Sequence, residues 1–234
     1  EGSILRRIVA EMDDMACESV EVLGWLYQFY VAERKDEFFK SKRKAAPEDI
    51  APATQLFTPN WIVRYLVENS LGRLWMLNNP SSPLAQRMDY YLAPEGDTED
   101  FNRIYSPEEL TLCDPACGSG HILVYAFDLL FQIYEGEGYF PEDIPSLILQ
   151  NNLYGFEIDN RAAEIAKFAL EMKAREKDPD FFERGIDAQI VVLEPVRFDE
   201  EELQQAGVLA GATKLLQVFE HLGEAGSLYA PEPG

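Results

Sequence analysis

Seven consecutive residues carry the strongest chemical signal in this chain: Asp114-Pro115-Ala116-Cys117-Gly118-Ser119-Gly120. They lie between a short apolar stretch, Leu110 to Cys113, and a nearly all-apolar one, His121 to Tyr134. A strand-to-helix junction of this kind suits a ligand-binding loop. Gly118 and Gly120 lack a Cβ, so the backbone there can approach a ligand closely and adopt positive φ. The helix that follows presents free N–H groups, which attract anions. A plain tight turn would account for the glycines alone, but not for the Asp114-Pro115 pair ahead of them.

A second group, Gly155-Phe156-Glu157-Ile158-Asp159, closes another apolar stretch. A carboxylate at the end of that strand, Glu157, is placed to accept hydrogen bonds from a ribose diol, each contributing about 1.5–3 kcal/mol when one partner is charged. Ile158 offers an apolar face to a base. Asp159 or Asn160 is expected to cap the next helix. A nicotinamide-dinucleotide site fits poorly. Its third glycine would fall at Leu123. Its acidic residue would follow about 20 residues on, whereas the second strand comes later, after an insertion through Glu135 to Ser146.

These residues need a frame, and the surrounding pattern supplies one. Strands are expected at Leu110 to Cys113, Asn152 to Ile158 and Gln189 to Leu193. Helices are expected at His121 to Tyr134 and at Arg161 to Ala174, the latter with Ala162, Ile165, Ala166, Ala169 and Met172 on one face. Alternation of strand and helix marks a parallel α/β sheet. The expected fold class is α/β, a partial Rossmann-like sheet of three parallel strands preceded by a helical segment. A complete nucleotide-binding sheet has about six strands. The third strand would stand at an edge, where self-association or a covering helix is expected. Glu200 to Leu222 reads as helical with a break around Gly207 to Gly211.

Ahead of the sheet, residues 4–39 read as helical, with Val22, Leu23, Leu26, Phe29 and Tyr30 as a core-facing stripe around Gly24 and Trp25. Lys40-Ser41-Lys42-Arg43-Lys44 is a basic run in a loop, either solvated or a phosphate contact. A helix from Pro59 to Trp75 has Thr58 as its expected N-cap, Pro59 at its first position and a staple between Phe57 and Ile62. Its apolar face is Ile62, Val63, Leu66, Val67, Leu71 and Leu74. Asn78 to Ser106 reads as a long irregular connection. The expected division is residues 1–55, helical segment and basic loop, and residues 56–234, the α/β part.

Bulk composition limits the function classes. The chain has 234 residues, 47% of them hydrophobic, and a formal net charge of −22. So acidic a surface repels phosphate, because nucleic-acid affinity rests largely on cations that displace condensed counterions. Cys17, Cys113 and Cys117 are too few and too odd in number for a disulfide framework, and with His121 and His221 remote they form no zinc site. They read as small buried hydrophobes of a cytoplasmic protein. No stretch is long and apolar enough to span a bilayer. The start at Glu1-Gly2-Ser3 and the end at Pro231-Glu232-Pro233-Gly234 suggest a piece of a longer protein.

Phe57-Thr58-Pro59, Asp114-Pro115-Ala116-Cys117-Gly118-Ser119-Gly120 and Gly155-Phe156-Glu157-Ile158-Asp159 resemble, in order, the first three motifs of gamma-type N6-adenine DNA methyltransferases. The finer resemblance is to the PglX methyltransferases of BREX phage-defence systems. Gly24-Trp25-Leu26-Tyr27-Gln28-Phe29-Tyr30 is similar to that family's N-terminal helix, and Gly118-Ser119-Gly120-His121 with Val124 to Leu130 to its cofactor loop and helix. The likeness covers most of residues 20–200. It implies S-adenosylmethionine as cofactor and double-stranded DNA as partner, gripped through regions outside this segment. Thr58 and Pro59 would hold the methionine carboxylate, Asp114 the ammonium and Glu157 the ribose hydroxyls. Phe57, Pro115, Ala116, Gly118, Ser119, Gly120 and Ile158 would complete the cofactor site, and residues 56–234 would be the cofactor-binding part of a methyltransferase domain. Leu193-Glu194-Pro195, at the end of the third strand, matches no motif well. The family's catalytic motif, Asn or Asp followed by Pro-Pro and an aromatic, has no counterpart, since no two prolines are adjacent in the chain. The chain alone is therefore expected to bind cofactor without catalysing transfer. A methyltransferase for RNA or protein, or a non-catalytic adenosylmethionine-binding module, would share the same cofactor motifs.

Overall fold

Three short strands set the frame: β1 Leu112–Asp114, β2 Leu153–Glu157 and β3 Gln189–Val192. The computed structural model describes residues 21–44, 46, 49, 53, 55, 57–94, 96 and 100–194. The sheet order is β1-β2-β3, with both pairings parallel. Asp114 stands beside Gly155, and Glu157 beside Val192. The two carboxylates singled out in the sequence thus close neighbouring strands at the same end of the sheet. In open α/β sheets that carboxyl end is where ligands bind.

Side chains alternate across the strands, and the burial follows. Asp114, Leu153, Gly155, Glu157 and Ile190 are buried, while Cys113 and Val191 on the opposite face are exposed. The buried face carries α4 (His121–Gly136), α5 (Ile144–Asn151) and α6 (Asn160–Lys177). Leu123, Ala126, Phe127 and Leu130 of α4 are fully buried, while Asp128 of the same helix pairs with Lys173 of α6 at 2.7 Å. Asn152 joins the layers. Its Nδ2 donates to the carbonyls of Pro107 (2.8 Å) and Leu110 (2.6 Å), and its Oδ1 accepts from Tyr134 (2.9 Å). Its buried amide is thereby satisfied, which a buried polar side chain requires.

Ahead of the sheet lie α1 (Glu21–Ser41), α2 (Asn60–Val67) and α3 (Arg73–Asn78). A π-helical turn, Glu68–Gly72, links α2 to α3 without a break. Glu68 in that turn is fully buried. Its carboxylate accepts from the Tyr90 N–H and the Tyr125 hydroxyl, both at 2.6 Å, and pairs with Arg64 at 3.4 Å. The π turn shifts the helical register, so Val63, Val67, Leu71 and Trp75 form the buried face. Leu66, expected on that face, is exposed.

Several other expectations need correction. The helix begins one residue late. Pro59, with φ −56° and ψ 143°, is the N-cap, and its carbonyl accepts from Ile62 and Val63. Extended ψ at Pro59 moves Thr58 outside the cap, and Phe57 packs on Tyr27 and His121. The first strand is shifted to include Asp114. The presumed insertion contains the start of α5. On α1 the aromatic stripe faces outward. Trp25, Leu26, Phe29 and Tyr30 are exposed, while Tyr27 and Val31 are buried against Ala162, Ile165 and Phe57. A single narrow face of α1, carrying Tyr27 and Val31, meets Ala162 and Ile165 of α6, and the rest of the stripe lies off that face. Cys117 is buried but Cys113 is exposed. Residues 4–20, Cys17, Pro195, His221 and the stretch Glu200 to Leu222 lie outside the described residues.

Candidate functional site

The loop after β1 is folded by its own polar groups. The Ala116 N–H donates to Asp114 Oδ1 at 3.1 Å, an Asx-type turn. Cys117 N–H donates to the Phe156 carbonyl at 2.9 Å, which ties the loop to β2. Gly120 has φ +86°, and a Cβ there would lie 3.0 Å from Ala166 Cβ. Loop and α6 therefore come into close contact at Gly120 and Ala166, which leaves no room for a larger side chain at either position. Gly155 is constrained likewise, since a Cβ would meet Ile190, Leu123 and Cys117.

Glu157 is the loop's second anchor. It is buried. Its Oε2 accepts from the Gly118 N–H at 2.7 Å, and its Oε1 from the N–H groups of Ile158 and Asp159, both at 2.9 Å. A carboxylate offers about four lone-pair sites, so three backbone donors leave it room for a further one. Asp159 caps α6 as expected, accepting from the Arg161 N–H at 3.0 Å. Asp114 is buried, and desolvation, then the nearby Glu157 charge, raises its carboxyl above the usual range. Burial, helped by the Asp114 and Glu157 charges, pushes the Cys117 thiol up to about 12, so it is no nucleophile at neutral pH.

Among the residues singled out, Phe57, Thr58, Asp114, Ala116, Gly118 and Ser119 line one cavity of about 50 Å³. Phe57, Thr58 and Pro59 line a neighbouring one of about 260 Å³, with Asn60, Val63 and His121. The Phe57 and His121 rings, 6.3 Å apart, stand between the two. Glu157 sits outside the walls of both, and Ile158 is exposed at the end of β2. Pro115 is exposed, and Gly120 serves the contact with Ala166. Larger hollows near Gly136 to Leu147 contain none of these residues.

Sequence reasoning missed one cluster. Tyr27 of α1 donates a short hydrogen bond to Asp159 Oδ2. Gln55 Nε2 donates to the same carboxylate oxygen at 3.2 Å and to the Tyr27 hydroxyl at 3.4 Å. Desolvation and the bond to Asp159 raise the Tyr27 phenol well above its ordinary value. Tyr27 and Gln55 also line the smaller cavity. No local spacing could have joined residues this distant in sequence. The basic run, by contrast, is partly neutralised. Arg43 forms a two-pronged pair with Asp49 at 2.5 Å, and Lys40 lies 3.8 Å from Asp36. Among the described residues no group of histidines, cysteines and carboxylates could hold a metal, and no helix is long and apolar enough to cross a membrane.

A sequence model of the family described as MmeI, DNA-methyltransferase domain, matches residues 102–194. Over 209 residues the chain is 46% identical to the adenine-specific methyltransferase BrxX of Escherichia coli strain HS, which covers 86% of this chain and 17% of that protein. Over 177 residues it is 45% identical to the adenine-specific methyltransferase PglX of Lacticaseibacillus casei, covering 70% of this chain and 15% of that protein. A putative type II restriction enzyme and methyltransferase of Methanocaldococcus jannaschii is 27% identical over 149 residues, 55% of this chain and 13% of that protein. The chain thus spans less than a fifth of the length of these curated relatives.

Proposed function

Proceeding from a chain that is a PglX-like adenine methyltransferase segment by its 45–46% identities, we propose that it is the cofactor-binding part of a protein that methylates the N6 amine of adenine in DNA, in phage defence or restriction-modification. One juxtaposition carries the reading. Thr58 ahead of α2, Asp114 at the end of β1 and the glycine loop meet around one cavity, with Glu157 directly behind the loop.

S-adenosylmethionine, when bound, supplies an already activated methyl group. The donor set suits it. The start of α2 favours the methionine carboxylate, buried Asp114 suits a primary ammonium, and Glu157 retains acceptor capacity for ribose hydroxyls. The cavity beside Asp114 alone is far below the roughly 300 Å³ at which small-molecule pockets begin. With its neighbour across the Phe57–His121 pair the space reaches that range, so those two rings are the parts expected to shift on binding. The residues here position and neutralise, and holding reactants in line is where much of such a barrier can be removed. Nothing in the chain resembles the Pro-Pro motif that holds the target amine in the resembled family. A flipped base costs a few kcal/mol that a base pocket must return, so we propose that the chain alone transfers no methyl group.

The test is labelled methyl transfer to DNA by the full-length protein, with the product nucleoside identified. N6-methyladenine that disappears in Asp114→Ala and Glu157→Ala is the expected result. Label in RNA or protein alone would redirect the substrate, and transfer by the isolated chain would place the catalytic half within it.

A further inference from the structure

Two helices begin at the candidate site, α2 at Asn60 and α4 at His121. One turn in from each start, Arg64 meets Tyr125, and Arg64 Nε donates to the Tyr125 hydroxyl at 3.4 Å. That hydroxyl donates in turn to Glu68 Oε1 at 2.6 Å, and Arg64 Nε lies 3.4 Å from the same oxygen. A turn beyond Glu68 the two stretches are still side by side, since a Cβ on Gly72 would lie 3.3 Å from Leu129 Cδ2. The outer arms of the cluster hold the segment after α3. The Tyr90 N–H donates to Glu68 Oε2, and Arg64 Nη2 meets Asp89 Oδ2, both at 2.6 Å. The Arg64 guanidinium also lies over the rings of Tyr90 and Tyr125, 5.2 and 5.6 Å from their centres.

Stability alone does not account for this cluster. Glu68 is fully buried, and taking a carboxylate out of water costs about as much as its pairing returns. Apolar residues of similar volume would join the two stretches as well or better. The helix also departs from α geometry around that carboxylate, at Glu68–Gly72, and single π turns are frequent at functional sites. What hydrogen bonds add over apolar packing is direction and a set distance. The quantity set here is the separation of two helix starts. Pro59 caps α2, Gly120 caps α4, and the Phe57 and His121 rings stand 6.3 Å apart between them. We propose that Arg64, Glu68 and Tyr125 are positioning residues of the cofactor site. They clamp α2 to α4 one turn behind their starts, so the ring pair can shift while the two helix ends keep their places. None of the three lines either cavity at the site. The role rests on the cofactor reading above.

Tyr125→Phe removes the hydroxyl of the clamp and keeps its ring. Tyr134→Phe is the matched control, because it removes a buried hydroxyl from the far end of α4, where Tyr134 donates to Asn152 at 2.9 Å. Calorimetry on the purified full-length protein should show S-adenosylhomocysteine bound about three- to tenfold more weakly by Tyr125→Phe, within the range that residues without a ligand contact hand on. Tyr134→Phe should leave that affinity unchanged. Glu68→Gln retains an acceptor for the Tyr90 N–H and a partner for the Tyr125 hydroxyl, so it should keep more of the affinity than Glu68→Ala. Amide exchange without ligand, read by mass spectrometry, is the second measurement. The N–H groups of Val63 and Val124 close the first turns on Pro59 and Gly120. Peptides carrying them should exchange faster in Tyr125→Phe than in wild type or Tyr134→Phe. Equal affinity losses in the two tyrosine variants, or none in either, overturn the positioning role, and so does unchanged exchange at both helix starts. Should Glu68→Ala fail to fold, Tyr125→Phe carries the comparison. A wild-type protein that does not bind S-adenosylhomocysteine sinks the cofactor reading, and exchange then decides the clamp by itself. Tight wild-type binding with no selective loss in Tyr125→Phe sinks only the clamp.

Discussion

Replacing Gly120 by alanine tests how the loop and α6 are joined. Gly120 sits at φ +86°, and its added Cβ would lie 3.0 Å from Ala166 Cβ and 3.1 Å from Ala166 Cα. A left-handed conformation costs an L-residue about 1–2 kcal/mol. The close contact is with the backbone of a buried helix, which cannot swing aside, so overpacking adds about 1–3 kcal/mol. Gly118→Ala is the matched control. Gly118 has φ +55°, but a Cβ there would meet nothing within 4 Å. It should lose only the conformational part, about 1–2 kcal/mol. The gain from a stiffer unfolded chain is common to both variants and cancels in the comparison. Urea unfolding followed by circular dichroism, with equal m-values as the check on the transition, should place Gly120→Ala below Gly118→Ala by about 1–3 kcal/mol. At about 2–4 °C per kcal/mol for a chain of this size, the melting points should separate by at least about 2 °C. Equal losses, or a larger loss in Gly118→Ala, would show that the loop and helix are not in backbone contact.

Asp114 carries a pH prediction. Its carboxyl is raised in the folded chain by burial and by Glu157, so the folded state holds the proton more tightly than the unfolded one. Its contribution to stability is then fully present below the ordinary carboxylate range and is lost as pH rises through the raised value. Asp114→Asn should therefore be the more stable protein at neutral pH, with the advantage vanishing in acid; a melting-temperature series in which Asp114→Asn gains nothing at neutral pH refutes this. If Asp114 holds an ammonium, wild-type affinity for S-adenosylhomocysteine should also fall as acid protonates it. With a net charge of −22, the chain by itself should bind duplex DNA weakly at physiological salt. A tight, salt-sensitive gel shift would refute that and direct attention to Lys42 and Lys44, the lysines of the basic run outside the described ion pairs.

The fold was legible where a signal is local. The glycine loop, the three strands and the cap at Asp159 depend on residues within a few positions of one another, and each stands where its spacing placed it to within two or three residues. Misreadings arose where a distant partner decides. The π turn at Glu68–Gly72 surrounds a buried carboxylate whose donors, Tyr90 and Tyr125, lie 22 and 57 positions away. Helical periodicity cannot announce it, and it resets which later residues, Leu71 and Trp75, share the buried face with Val63 and Val67. The start of α5 was hidden for another reason. It follows a Gly-, Pro- and Asp-rich turn, and its eight residues are too few for a period to stand out.

The candidate site divides along the same line. Asp114 and Glu157 were readable because each ends an apolar strand, and parallel pairing brings strand ends together without further information. Gln55 and Tyr27 were not, because nothing near either residue identifies Asp159 as its partner. Tyr27 looked like one aromatic among several on a helix, and the helix buries it while its larger-looking neighbours Trp25 and Phe29 face outward. What distinguishes Tyr27 is a hydroxyl that meets a half-buried acceptor, Asp159, at the start of α6, which Phe29 lacks. A motif therefore shows where a chain prepares a site, but the residues that close the site from another element become visible only through the hydrogen bonds they complete.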